Sequence, residues 1–107
     1  MPSAINTFKS YAVDATTVGN TFYTTPAATT TIILLAQATN VGNNDANVTF
    51  YTSINGNTEI TKDFTIPVGD AASMLTGKLV LEAGNSMGVI ANANSQIKLT
   101  VSILETT

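Results

Sequence analysis

The sequence predicts an all-β domain, a two-sheet antiparallel sandwich of jelly-roll or immunoglobulin-like type with about eight short strands. Apolar and polar residues alternate with a period of two, turn residues recur about every ten positions, and threonine leads the polar residues. Threonine is β-branched and sits well on the solvent face of a pleated sheet, whereas Lys, Glu and Arg, the usual helix-surface residues, are scarce or absent. With 107 residues the chain suits one domain and is too short for two. A hydrophobic fraction of 44% gives enough to bury, so the 10% charged fraction signals an uncharged surface rather than disorder.

The clearest strand is near the C-terminus. In Gln96-Ile97-Lys98-Leu99-Thr100-Val101-Ser102-Ile103, the four apolar residues share one face. Val48, Phe50, Thr52 and Ile54 repeat the pattern, with Thr49, Tyr51 and Ser53 facing out. Ile60, Lys62, Phe64 and Ile66 form a third such face. Asn55-Gly56-Asn57 joins these two segments with the residues a tight hairpin turn needs, which predicts a β-hairpin over 48–66. Ile32-Ile33-Leu34-Leu35-Ala36-Gln37-Ala38 is denser and predicts a strand covered on both faces, at a sheet centre or under an oligomer contact. A short strand before Pro26, others over 78–82 and 86–91, and one helical turn over 71–75 complete the sandwich. Residues 1–20 form an N-terminal arm or a first strand, and residues 21–107 the sandwich proper.

Composition restricts the chemistry. Four lysines against seven carboxylates, with no His and no Arg, leave no footprint for a phosphate backbone, so nucleic acid is not an expected partner. Without Cys there is no disulfide, thiolate nucleophile or zinc-thiolate site, and no motif calls for a cofactor. The carboxylates fall in turns or on outward strand positions and read as solvated charges rather than a catalytic pair. The loop Asn40-Val41-Gly42-Asn43-Asn44-Asp45 is rich in oxygen but holds one carboxylate, too few for a typical calcium site, and reads as a turn. Residues 1–9 show no signal-peptide pattern, and the longest apolar run is far shorter than a membrane span, so no membrane role is expected. The initial Met and the strand-like end fit a complete small gene product.

An enzyme is therefore not expected, and contact residues become the candidates. Phe8, Tyr11 and Val13 suit an arm that docks on a neighbour. Of Phe22 and Tyr23, and of Phe50 and Tyr51, one faces in and one out. Phe50 belongs to the inward set, and Tyr23 and Tyr51 are the candidate contacts. Tyr51 with Asn55 and Asn57 is where a carbohydrate-binding platform would lie.

Phe22-Tyr23-Thr24-Thr25-Pro26, the Ile32 strand, Ile66-Pro67-x-Gly69, Gly77-Lys78-Leu79-x-Leu81-Glu82-Ala83-Gly84-Asn85 and Leu99-x-Val101-x-Ile103-Leu104-Glu105 form a skeleton. It resembles the small β-sandwich structural proteins of tailed-bacteriophage particles, with Asn85 where that skeleton often carries Asp. The resemblance implies a virion structural protein, similar to capsid decoration (cement) proteins, which bind the major capsid protein on the particle exterior and often form homo-oligomers. Tail, neck and fibre components are the alternative it implies.

Overall fold

The alternation along the last strand decides the architecture, because its apolar face must be covered by a second sheet. The computed structural model describes residues 5–54 and 56–107 as nine strands with no helix among them. They are β1 (Asn6–Asp14), β2 (Asn20–Thr24), β3 (Thr30–Asn40), β4 (Ala46–Thr52), β5 (Thr58–Ile66), β6 (Ala71–Ser73), β7 (Leu79–Leu81), β8 (Ser86–Ala91) and β9 (Ile97–Thr106). The first sheet runs β1-β9-β3, and β6 and β7 both lie along the far edge of β3. The second sheet runs β2-β8-β4-β5, and every paired strand in both sheets is antiparallel. With β6 and β7 taken as two pieces of one strand, successive strands change sheet at every step except the β4–β5 hairpin, which is the order of a jelly roll.

The core lies between the sheets. Ile97, Leu99, Val101 and Ile103 of β9 have no exposed surface, and they join Ile33 of β3 and Val48, Phe50, Met87 and Val89 of the second sheet. Burying each large side chain stabilises the fold by roughly 1.5–3 kcal/mol relative to leaving it in water. Residues 6–14 pair with β9 along their whole length, from Asn6 opposite Thr106 to Asp14 opposite Lys98.

Three local expectations need correction. Residues 71–73 are a strand, not a helical turn. Ala71, Ala72 and Ser73 pair with Thr39, Ala38 and Gln37, and this pairing outweighs the indifferent propensity of two alanines. The inward face assigned to β5 is broken, because its register against β4 shifts twice. Asp63 takes a left-handed φ of 47° at the first shift, and Thr49 secures it by accepting the Asp63 N–H at 2.9 Å. Lys62 is exposed and Phe64 is 47% exposed, since β5 is a sheet edge with little above it. The Ile32 strand does lie inside its sheet, between β9 and β6/β7, but within the chain one face alone is covered: Ile33, Ala36 and Ala38 are buried, while Leu35 is 39% exposed. In the hairpin turn Gly56 has the positive φ expected of it, and Asn55 lies outside the described residues.

One glycine is fixed by close approach. Gly88 lies opposite Tyr51 and Thr21, and a Cβ there would meet the Tyr51 ring at 2.5 Å and the Asn20 carbonyl oxygen at 2.7 Å. The ring could turn aside, but the Asn20 backbone could move only with β2. Gly88→Ala should therefore destabilise the fold by about 1–3 kcal/mol in urea denaturation. Gly77→Ala, with open space around it, should stay within about 0.5 kcal/mol of wild type.

Candidate functional site

Strand register places four apolar side chains in one row across the outer face of the first sheet. Phe8 of β1 pairs with Leu104 of β9, Leu104 pairs with Ile32 of β3, and Ile32 pairs with Val80 of β7. Ile32, Val80 and Leu104 face away from the core, because their strand neighbours Ile33, Leu81 and Ile103 are buried, and Phe8, opposite Leu104, shares their side. At about 4.8 Å between strands the row spans roughly 14 Å. Phe8 is 72% exposed and Val80 50%, and Leu35 extends the apolar surface next to the Ser10–Ser102 pair. Polar positions flank the row on both sides, Asn6-Thr106-Thr30 and Thr100-Gln37-Ser73, the latter with Ala12 at its β1 end. An apolar patch with a polar rim is the usual form of a protein contact surface.

The outer face of the second sheet differs. Thr21, Gly88, Tyr51 and Glu59 form its central row, followed by Thr49 with Asp63 and by Asn47, whose side-chain oxygen accepts the Thr65 hydroxyl at 2.7 Å. Apart from Ile90, which pairs with Thr49, that face is polar. Among the described residues, the row of apolar side chains that crosses a whole sheet lies on the first sheet.

Beneath the row, the inner face of β1 is tied to the core by a chain of four polar side chains. Tyr23 of β2 crosses the sandwich and donates its phenol proton to Glu105 Oε2 at 2.5 Å. Thr31 Oγ1 lies 2.7 Å from the same phenol oxygen, and Lys9 Nζ sits 3.0 Å from Glu105 Oε1. Since the phenol proton goes to the carboxylate, Thr31 is the donor to Tyr23. Glu105, buried at 8% exposure, continues the inward row of β9 after Ile103. A buried carboxylate is tolerated only with such partners. Its carboxyl is held below the usual range, first by the Tyr23 hydrogen bond and then by Lys9. Burial, reinforced by the Glu105 bond, pushes the Tyr23 phenol up to about 12, and Glu105 raises the Lys9 ammonium.

The structure separates the contact residues expected from sequence. Phe8 lies in the apolar row. Tyr11 and Val13 point to the other side of the same strand and pack against the core, with the Tyr11 ring 5.7 Å from that of Tyr23. Tyr23 is not an outward contact: it is 7% exposed, and its hydroxyl is committed to Glu105. A register shift between Thr21 and Tyr23 breaks the strict alternation there, so Phe22 also packs against the core. Tyr51 is half-buried on the second sheet, its ring occupied in covering Gly88. Leu104 and Val80 were not singled out from sequence as contacts, and Ile32 only as part of the dense run that a sheet centre or an oligomer contact would cover. Their signal was the doubling of apolar residues in Ile32-Ile33, Leu79-Val80-Leu81 and Ile103-Leu104, where strict alternation calls for a polar one.

The Asn40 loop is organised by backbone bonds. The Asn40 amide donates to the Asn44 and Ile66 carbonyls at 2.8 Å each, and Asp45 accepts the Val68 N–H at 3.2 Å. Among the described residues there is no group of three or more metal-ligating side chains and no enclosed pocket.

The class these features define is a jelly-roll sandwich with one apolar outer face. No family model and no curated protein matches the chain. A solved chain from Bacillus endospore appendages, described as a novel family of disulfide-linked pili, superposes with a TM-score of 0.57. The match covers 97% of this chain and 87% of that one at 9% identity, a likeness of fold alone.

Tyr23→Phe should cost about 1–3 kcal/mol, because it strips a buried carboxylate of its principal donor. The depressed Glu105 group contributes stability above the ordinary carboxyl value of 4.5 and loses it as pH falls through its lower folded value. The raised Tyr23 group contributes fully below 10.0 and loses its contribution as pH rises through about 12. Urea midpoints of wild type and Tyr23→Phe should differ at neutral pH and converge under acid. A gap of equal size at both would contradict the linkage.

Proposed function

We propose that the chain is a non-catalytic structural subunit that docks on other proteins through the outer face of its first sheet. The observation that carries this is the in-register row Phe8, Leu104, Ile32 and Val80 across the outer face of the first sheet, exposed at Phe8 and Val80 and half-buried between them. Burying such a row releases water from apolar area, and the low charge of the chain keeps the desolvation cost of docking small. The resemblance of the strand-and-turn skeleton to phage sandwich proteins supports a place on a bacteriophage particle. There it would act as a decoration (cement) protein tying the major capsid protein or other virion proteins together. The likeness to an appendage chain supports a second reading, a subunit of an extracellular appendage. With no Cys, this chain could not be disulfide-linked as those pili are described to be.

Particles from a strain lacking this chain separate the readings. They should take up added wild-type protein in a fixed, saturable ratio, and Val80→Lys should be taken up at least about tenfold more weakly. Failure of particles to take up the wild-type protein rejects the decoration role. Loss of a surface filament from the same strain would place the subunit in an appendage instead.

A further inference from the structure

We propose that β1 pairs antiparallel with β1 of a second copy, Phe8 opposite the second copy's Phe8, joining the two first sheets into one continuous sheet eight strands wide, with β6 and β7 end to end at each far edge. This goes beyond the docking role and does not depend on which assembly the chain serves.

The first observation is which backbone groups are free. Ala15 donates to the Ile97 carbonyl at 2.9 Å at one end of the β1–β9 ladder, and Thr107 donates to the Ile5 carbonyl at 3.1 Å at the other. The register between them is unbroken, so the odd-numbered residues of β1 bond to β9. Asn6, Phe8, Ser10, Ala12 and Asp14 therefore turn their N–H and C=O groups to the open edge. The other edges are guarded. β2 has five residues, a register shift and Pro26 close behind it; β5 shifts register twice and carries Glu59, Lys62 and Asp63; β6 and β7 have three residues each. Against these, β1 offers nine regular residues with no proline, glycine or bulge, the template other edges are shaped to avoid.

β1 carries two charged residues, Asp14 at its last position and Lys9 near its middle, and an inward lysine such as Lys9 is a common guard on edge strands. The Lys9 ammonium is instead held 3.0 Å from Glu105, so its charge is matched within its own copy.

The second observation selects a second copy as the occupant and fixes the register. Antiparallel self-pairing turns about an axis perpendicular to the sheet, which keeps the outer faces on one side. With Phe8 at the centre, the two exposed phenylalanines cover each other, and Ile5, 62% exposed, meets the second copy's Tyr11. Lys9 lies opposite Thr7 and Asn6 opposite Ser10, so no like charges face each other. Centring on Lys9 would oppose two ammonium groups, and centring on Ser10 would leave each Phe8 against an alanine. In the Phe8 register the apolar row from Val80 to Phe8 runs on into the second copy's Phe8 and out to its Val80.

The test uses the purified chain alone, so its failure is distinct from failure of the docking reading. Light scattering should give about twice 11.1 kDa. Opposed residues in a hydrogen-bonded antiparallel pair have Cα atoms about 5.5 Å apart, within disulfide range. In this cysteine-free chain, Phe8→Cys should cross-link into a covalent dimer under mild oxidation. Ser10→Cys, roughly 13 Å along the strand from its own counterpart, should not. Phe8→Asp should weaken the dimer at least about tenfold, and Ser10→Pro, which removes an open-edge N–H and the exposed Ser10–Ser102 hydroxyl contact but no backbone bond to β9, should do the same, both with unchanged circular dichroism. A monomeric wild-type chain overturns the proposal, and so does Ser10→Cys cross-linking ahead of Phe8→Cys.

Discussion

The pairing of β9 with both β1 and β3 is the constraint on which the other features rest. Its inward residues Ile97, Leu99, Val101 and Ile103 form the floor of the core. Its outward residues Thr100, Ser102 and Leu104 set what the first sheet presents outside. A strand has only these two faces, so a one-residue slip of β9 would exchange core and surface along its length. The core therefore holds the register, and the register brings Phe8, Ile32 and Val80 into line with Leu104. The contact surface is a consequence of core packing on the opposite side of the same strand.

Glu105 is where this arrangement meets its exception. The inward row of β9 ends in a carboxylate instead of another aliphatic side chain, and its partners come from three other strands: Lys9 on β1, Thr31 on β3 and Tyr23 on β2. These bonds bind the outermost strand of one sheet to the outermost strand of the other at one end of the sandwich. β1 meets β9 without a register shift along its whole length. Orderly attachment on its inner side keeps the outer edge of β1 extended and its backbone groups free.

Much of the fold was legible in the sequence, because period-two alternation is a local property. The strands around Phe50, Ile66 and Val101 follow from side-chain order alone, as does the left-handed glycine of the hairpin turn. What failed to read locally depends on pairing. Ala71, Ala72 and Ser73 have no propensity that marks them as a strand, and only β3 makes them one. Tyr23 reads as an outward tyrosine until the bulge beside it and the distant Glu105 are brought together. Tyr51 reads as a free aromatic until Gly88 is placed beneath it. The apolar row left traces in the sequence as doubled hydrophobic residues. Their alignment needed the register of four strands separated by up to ninety-six positions, Phe8 to Leu104.

A jelly roll does not specify an activity, so the functional reading rests on which outer face can give up water when it is covered. Hydroxyl-radical footprinting of the chain, free and then in its assembled state, tests that most directly. Leu104, Ile32 and Val80 should be labelled in the free protein and protected together on assembly, while Tyr51 on the opposite face keeps its labelling. Protection centred on Tyr51, with Ile32 and Val80 still labelled, would contradict the account.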